Sequence, residues 1–95
     1  MEHHIILRST SHGALDLYID NVYVSPVRSW NVHNHSPDGF QVGYLGSGPA
    51  QTALAIMLHT TNTQHHYQDF KTEFVAHWKP DTEYVVNVRE WLRNR

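Results

Sequence analysis

The sequence predicts an α+β domain in which a small antiparallel sheet of three to four strands carries two to three helices on one face. The strand-like segments, with alternating apolar residues, lie mostly in the first half of the chain, and the helix-like segments lie mostly in the second half. This order is typical of α+β folds. A length of 95 residues suits one domain, so we expect residues 1–95 to fold as a single unit.

The N-terminal strands are predicted from β-branched and alternating segments. Residues 4–8 contain a run of isoleucine and leucine that predicts a short edge strand. Between residues 15 and 20, apolar and polar side chains alternate with the period of a half-buried strand. Asp20 and Asn21 suit a two-residue turn, and the apolar pattern resumes over residues 22–24, so these segments predict a hairpin.

Residues 25–39 are the least regular part of the chain. They contain two prolines and an Asp-Gly pair, which predict a long loop. We expect Trp30 and Val32 to anchor this loop to the core. Residues 40–44 then predict another strand, whose even-numbered residues share one face.

A Gly-Ser-Gly-Pro sequence at residues 46–49, called the glycine loop below, predicts the start of a central helix. Proline is favoured at the first helical position because its missing N–H would have no partner there. This places Gly48 at the N-cap and predicts a helix from Ala50 to about His59. Apolar residues occupy nearly every face of this segment, which predicts burial on several sides.

The C-terminal part predicts two more helices and one strand. An aromatic stripe predicts a helix over about residues 64–78, and residues 83–86 predict a short strand. Asn87, followed three residues later by Glu90, predicts the capped start of a final helix.

The composition argues against several classes of site and partner. The chain has no cysteine, so it forms no disulfide, and no thiolate can act as a nucleophile or bind a metal. Its formal net charge is −2 and no basic stripe is visible, so we expect no binding to duplex nucleic acid. No apolar stretch is long enough for a membrane span or a signal peptide, so we expect a cytoplasmic protein with no membrane partner.

Two blocks of sequence resemble a family of domains of unknown function. The family pattern is GYxGSGPAQxALAI followed by YQxFKxEF, and these blocks correspond here to residues 43–56 and 67–74. The resemblance covers most of the chain, which departs from the family in its many histidines and in the long segment before Gly39. The family consists of small proteins of bacteria, archaea, phages and mobile elements and has no established activity. The resemblance therefore implies a phage or mobile-element origin and no particular chemistry.

The glycine loop is the first candidate for a ligand site. The N–H groups at a helix start are unpaired, and the helix dipole favours an anion there. Glycines at 46 and 48 would let a ligand approach the backbone closely, and Ser47 offers a hydroxyl, whereas Pro49 removes one donor. The structural alternative is that the glycines only permit a tight strand-to-helix turn.

Lys71 on the second helix is the candidate counter-charge for a phosphate held at the glycine loop. The alternative is a surface lysine whose stem covers aromatic residues. The predicted ligand-binding residues are Gly46, Ser47, Gly48, Gln51, Tyr67 and Lys71.

The nine histidines suggest two further functions, metal binding and general-base catalysis. His33 and His35 share a face if their segment is extended, and His65, Asp69 and Glu73 share a face if theirs is helical. Either set offers ligands for a divalent metal, or a histidine acting as a general base. No recognised metal or catalytic motif is matched, so we predict no metal, no cofactor and no catalytic residue.

The leading hypothesis is a non-enzymatic phage or mobile-element protein that binds a phosphorylated small ligand at the glycine loop. The suggested genomic context makes a nucleotide signal of host defence the first ligand to consider, in the host cytoplasm, and we expect a homo-oligomer. The alternatives are a protein–protein interaction module that inhibits a host factor through residues 25–39, and a histidine-dependent phosphoesterase or metal enzyme.

Overall fold

The computed structural model describes residues 1–95 and confirms the α+β class. Four strands form one antiparallel sheet in the order β3-β2-β1-β4. The strands are β1 (His3–Arg8), β2 (Asp16–Ile19), β3 (Val22–Val24) and β4 (Glu83–Val86), and the helices are α1 (Val27–Val32), α2 (Ser47–Thr61), α3 (Tyr67–Glu73) and α4 (Val88–Arg93), with a 3₁₀ turn at Val75–His77. None of the helices combines the length and apolarity that crossing a membrane requires.

Strand β1 lies inside the sheet, so its prediction as an edge strand was wrong. It pairs with β2 on one side and with β4 on the other. The predicted hairpin between β2 and β3 is confirmed, because Asp20 and Asn21 adopt the positive φ angles of 53° and 66° that a tight two-residue turn requires. The edge prediction failed because β4 joins the sheet from the other end of the chain.

Helix α2 is the centre of the core, as its sequence predicts. Twelve of its 15 residues are buried, and its apolar side chains join one cluster with the inward-facing residues of β1 and β2. The other face of the sheet carries Ile6 and Tyr18, which are half-buried, and Tyr23 and Val85, which are exposed. The helices therefore pack on one face of the sheet only.

The middle of the chain differs from the prediction. Helix α1 forms inside the predicted loop, and Val32 at its end is 41% exposed, so it does not anchor the segment. Residues 40–44 form no strand, and a single bridge between Leu15 and Phe40 joins them to the sheet. A φ of 89° at Gly43 turns the chain out of the extended conformation, and Tyr44 is half-exposed.

The predicted helix boundaries shift by a few residues. The N-cap of α2 lies two residues earlier than predicted, at Gly46, so the helix begins at Ser47; the Gly46 carbonyl accepts the Ala50 N–H at 3.0 Å. The second predicted helix is shorter than expected, because His66 takes a left-handed φ of 61° directly before α3. The predicted cap of α4 is confirmed, since the Asn87 side-chain oxygen accepts the Glu90 N–H at 3.1 Å.

Candidate functional site

The candidate site is organised around the side chain of Gln51, which is fully buried. Its Oε1 accepts the N–H groups of His35 at 2.7 Å and Ser36 at 3.0 Å. Its Nε2 donates to the Ser29 hydroxyl at 2.8 Å and to the His33 carbonyl at 3.1 Å. Buried amides are stable only when paired in this way. Gln51 therefore attaches the segment after α1 to α2 and has no polar group left for the ligand contact predicted for it.

Two histidine rings stack on this anchored segment. The rings of His33 and His35 are parallel to within 8°, and their centroids are 4.0 Å apart. The Nε2 atom of His35 lies 2.6 Å from the hydroxyl oxygen of Tyr67 on α3. His33 is exposed and His35 is half-buried, so His33 forms the outer layer of the stack.

The charged groups that act on His35 are positive. Burial lowers the pKa of His35 below its ordinary value of 6.5, and the nearby His33 and Lys71 lower it further. No carboxylate contributes to this shift. Three of the predicted ligand residues, Gln51, Tyr67 and Lys71, are therefore grouped around His35. We refer to His33, His35, Tyr67 and Lys71 as the histidine cluster.

The glycine loop is packed against side chains of the same chain. A Cβ on Gly46 would lie 2.6 Å from the Tyr44 ring, and a Cβ on Gly48 would lie 2.5 Å from the Cβ of Gln41 and 2.9 Å from the Tyr44 hydroxyl. The space that each glycine leaves is thus already filled. Both glycines are explained by this close packing, and Ser47 is the exposed residue of the loop.

The glycine loop and the histidine cluster lie near the same end of α2. Ser47 precedes Gln51 by four residues, so the two share one helix face at an axial separation of about 6 Å. Gln51 in turn holds the backbone of His35. The exposed start of α2 is therefore about one helical turn from the residue that anchors the histidine stack.

The structure does not assemble the histidines and carboxylates that were the alternative metal ligands. The His33 and His35 rings lie face to face, and no group of three or more histidine, aspartate or glutamate side chains is placed to hold an ion. The predicted face of His65, Asp69 and Glu73 is wrong, because His65 precedes α3. The two carboxylates instead pair with Arg95, at 3.2 Å for Asp69 and 2.6 Å for Glu73.

The main surface hollow lies elsewhere, between β3, α1 and α2. It has a volume of about 220 Å³ and is lined by residues including Val24, Arg28 and Leu58. The Arg28 guanidinium donates to the Leu58 carbonyl at 3.2 Å and also bonds Asn62, so it serves the C-terminal end of α2. The hollow therefore presents a guanidinium that already bonds the end of α2, with the exposed His59 beside it.

Sequence reasoning missed the role of Ser29 and Ser36 as partners of Gln51. The available signal was the position of Gln51 itself, a polar residue on a helix predicted to be buried on several sides. A buried amide requires partners, but the sequence does not show which segment supplies them.

The comparisons with known proteins point to one family. A family model described as a family of unknown function, DUF6166, matches residues 10–94. The search of the curated proteins and the search of the solved structures found no significant match. The match spans nearly the whole chain and agrees with the two sequence blocks, and the chain therefore belongs to the DUF6166 family.

Proposed function

We propose that this protein is a non-enzymatic binding protein for a phosphorylated small molecule, held between the histidine cluster and the exposed start of α2. One observation carries the proposal. The Nε2 atom of His35 lies 2.6 Å from the Tyr67 hydroxyl, and Lys71 lies near enough to lower the pKa of His35, with no carboxylate among the groups that act on it. A phosphate there would pair with the Lys71 ammonium.

The groups at this surface are suited to a phosphate. The Lys71 ammonium is a donor, and the contact between Tyr67 and His35 uses one hydrogen and leaves one further donor, on the hydroxyl or on the imidazole. Hydrogen bonds to a charged acceptor are about twice as strong as neutral ones. Ser47 adds a hydroxyl at the helix start, where the dipole also favours an anion. Binding needs only donors such as these, whereas catalysis would also need an oriented nucleophile and an oxyanion site, so we propose binding without a reaction.

The family resemblance extends the proposal to a biological setting. A phage or mobile-element protein that holds a nucleotide could sequester a signal of host defence in the host cytoplasm. The support for this setting is the resemblance alone. A homo-oligomer is also part of the proposal, since the uncovered face of the sheet presents apolar residues.

Isothermal titration calorimetry with ribose 5-phosphate, inorganic phosphate and the nucleoside monophosphates tests the proposal. The chain has two lysines, so Lys71→Met is matched by Lys79→Met, a change at an exposed lysine outside the cluster. We expect Lys71→Met to weaken binding about tenfold or more and Lys79→Met to leave it unchanged. If none of these compounds binds, or if both variants bind equally, the proposal is wrong.

A second candidate function is a protein–protein interaction module that inhibits a host factor. It is favoured by two exposed valines on α1, Val27, which is 53% exposed, and Val32, which is 41% exposed. In this case Val27→Asp with Val32→Asp would remove the inhibition of the host. Lys71→Met would leave the inhibition intact, which separates the two candidates.

A further inference from the structure

The outer ring of the histidine stack is held on a fixed backbone. The His33 N–H donates to the Ser29 carbonyl at 2.9 Å, and the His33 carbonyl accepts from the buried Gln51 amide at 3.1 Å. The ring therefore projects from a segment that is bonded on both sides. This restraint fixes the point from which the ring projects, and stacking on His35 sets the orientation of the ring.

The ring of His33 has one aromatic partner in the chain, His35. His33 is exposed. The two rings are 8° from parallel with centroids 4.0 Å apart, so one face of each ring is covered by the other. A further flat ring can extend this stack on the solvent side. Nucleobases suit such a platform because every base has a π-face.

The inner ring links this platform to the proposed phosphate site. His35 contacts His33 through its face and Tyr67 through its Nε2 atom. Lys71 lies near enough to act on the charge of His35. A ligand that covers His33 with a flat ring and places an anion near Tyr67 and Lys71 would use both parts of the cluster.

We infer that the phosphorylated ligand is a nucleotide whose base stacks on the outer ring of His33, with its phosphate near Tyr67 and Lys71. This inference rests on the proposed function and adds to it a base-binding subsite. It assigns separate roles to two residues of the cluster. His33 makes the site prefer a phosphate compound that carries a flat ring over one that does not, and Lys71 contributes affinity for the phosphate.

Calorimetry that compares AMP, GMP, CMP and UMP with ribose 5-phosphate tests the subsite. We expect at least one nucleotide to bind roughly 5- to 150-fold more tightly than ribose 5-phosphate, the range that one base stacked on an aromatic side chain supplies. His33→Ala should remove this preference, whereas His33→Phe, which keeps a flat ring, should retain it. His12→Ala is the control, since His12 is an exposed histidine outside the cluster.

The outcomes separate the inference from the proposed function. If ribose 5-phosphate and the nucleotides bind with equal affinity, the base subsite is wrong and the phosphate site stands. If His33→Ala keeps the preference, the base binds elsewhere and the inference is also wrong. If nothing binds, both fail. NMR of the wild-type protein adds a check without mutation: a stacked base should move the His33 ring-proton signals upfield, and unchanged signals at saturation would contradict the inference.

Discussion

His35 and Tyr67 are joined by a contact of 2.6 Å between the imidazole Nε2 and the phenolic oxygen, although 32 residues separate them in the chain. His35 belongs to the segment that follows α1, whereas Tyr67 is the first residue of α3. The contact therefore connects two segments that flank the first turns of α2. It places an aromatic hydroxyl and an imidazole at a surface where Lys71 acts on the ring and no carboxylate does.

The first prediction concerns the buried amide of Gln51. Gln51→Ala leaves two N–H groups and a carbonyl without their partner, and the Ser29 hydroxyl keeps only its bond to the Pro26 carbonyl. Because buried polar groups without partners are costly, we expect the free energy of unfolding to fall by about 2–4 kcal/mol, measured by urea denaturation. Gln68→Ala, at an exposed glutamine on α3, should change it by less than about 0.5 kcal/mol. Equal effects of the two variants would contradict the anchoring role.

The second prediction concerns the glycine loop. Gly48→Ala places a Cβ 2.5 Å from the Cβ of Gln41, so the packing over the loop must shift. We expect the free energy of unfolding to fall by about 1–2 kcal/mol, since overpacking outweighs the better helix propensity of alanine. Ser47→Ala, at the exposed neighbour, should be nearly neutral. A thermal melt of both variants measures the difference, and a Gly48→Ala protein as stable as wild type would show that the glycine is not required for packing.

The third prediction concerns His4, whose pKa is raised, whereas the pKa of His35 is lowered. A hydrogen bond to Glu83, 3.1 Å from the His4 ring, raises the pKa of His4 above 6.5. The folded state therefore holds the His4 proton more tightly than the unfolded chain does. The stabilisation of the folded state by this hydrogen bond is full below pH 6.5 and is lost as the pH rises through the folded-state pKa of His4. Glu83→Gln should return the pKa of His4 towards 6.5 in an NMR titration. A pKa of His4 that stays raised in this variant would contradict the assignment.

The fourth prediction concerns the uncovered face of the sheet, where Tyr23 is 53% exposed and Val85 is 47% exposed. If this face joins copies of the chain, sedimentation of the wild-type protein shows a dimer or larger species. Tyr23→Glu with Val85→Glu then shifts the protein to the monomer, because a buried unpaired carboxylate is costly. Leu45→Glu, at an exposed leucine outside the sheet, is the control. A wild-type monomer at high concentration would show that the predicted homo-oligomer does not form.

The features that the sequence predicted correctly depend on residues close together in the chain. The Asp20-Asn21 turn and the Asn87 cap each involve residues within four positions of one another, so the chemistry of those residues specifies the conformation. The central helix was predicted for the same reason, with its start misplaced by two residues. Residues 40–44 misled the prediction, because alternation also occurs where buried side chains belong to a loop turned by Gly43.

The arrangement of the candidate site depended on contacts between distant segments. Tyr67 and Lys71 were chosen as partners of the glycine loop, yet they are grouped with His35, because Gln51 draws residues 33–36 onto α2. The pairing of β1 with β4 was missed in the same way. A single sequence shows that a buried glutamine needs partners, but it does not show which loop provides them.

The pKa of His35 also makes stability depend on pH. Burial, His33 and Lys71 lower this pKa, so the unfolded chain binds the proton more readily than the folded protein. Between the folded-state pKa and 6.5, stability therefore rises with pH, and the contribution of His35 is lost as the pH falls through this window. An anion bound beside His35 acts in the opposite direction, because it favours the protonated ring.

An NMR titration of the His35 ring, with and without ribose 5-phosphate, tests the central claim most directly. In the free protein we expect His35 to titrate below 6.5, and Lys71→Met to raise its pKa because one positive neighbour is removed. With ribose 5-phosphate at saturation, the pKa of His35 in the wild-type protein should rise. A pKa that does not change when the compound is in large excess would contradict the claim that the histidine cluster holds the phosphate.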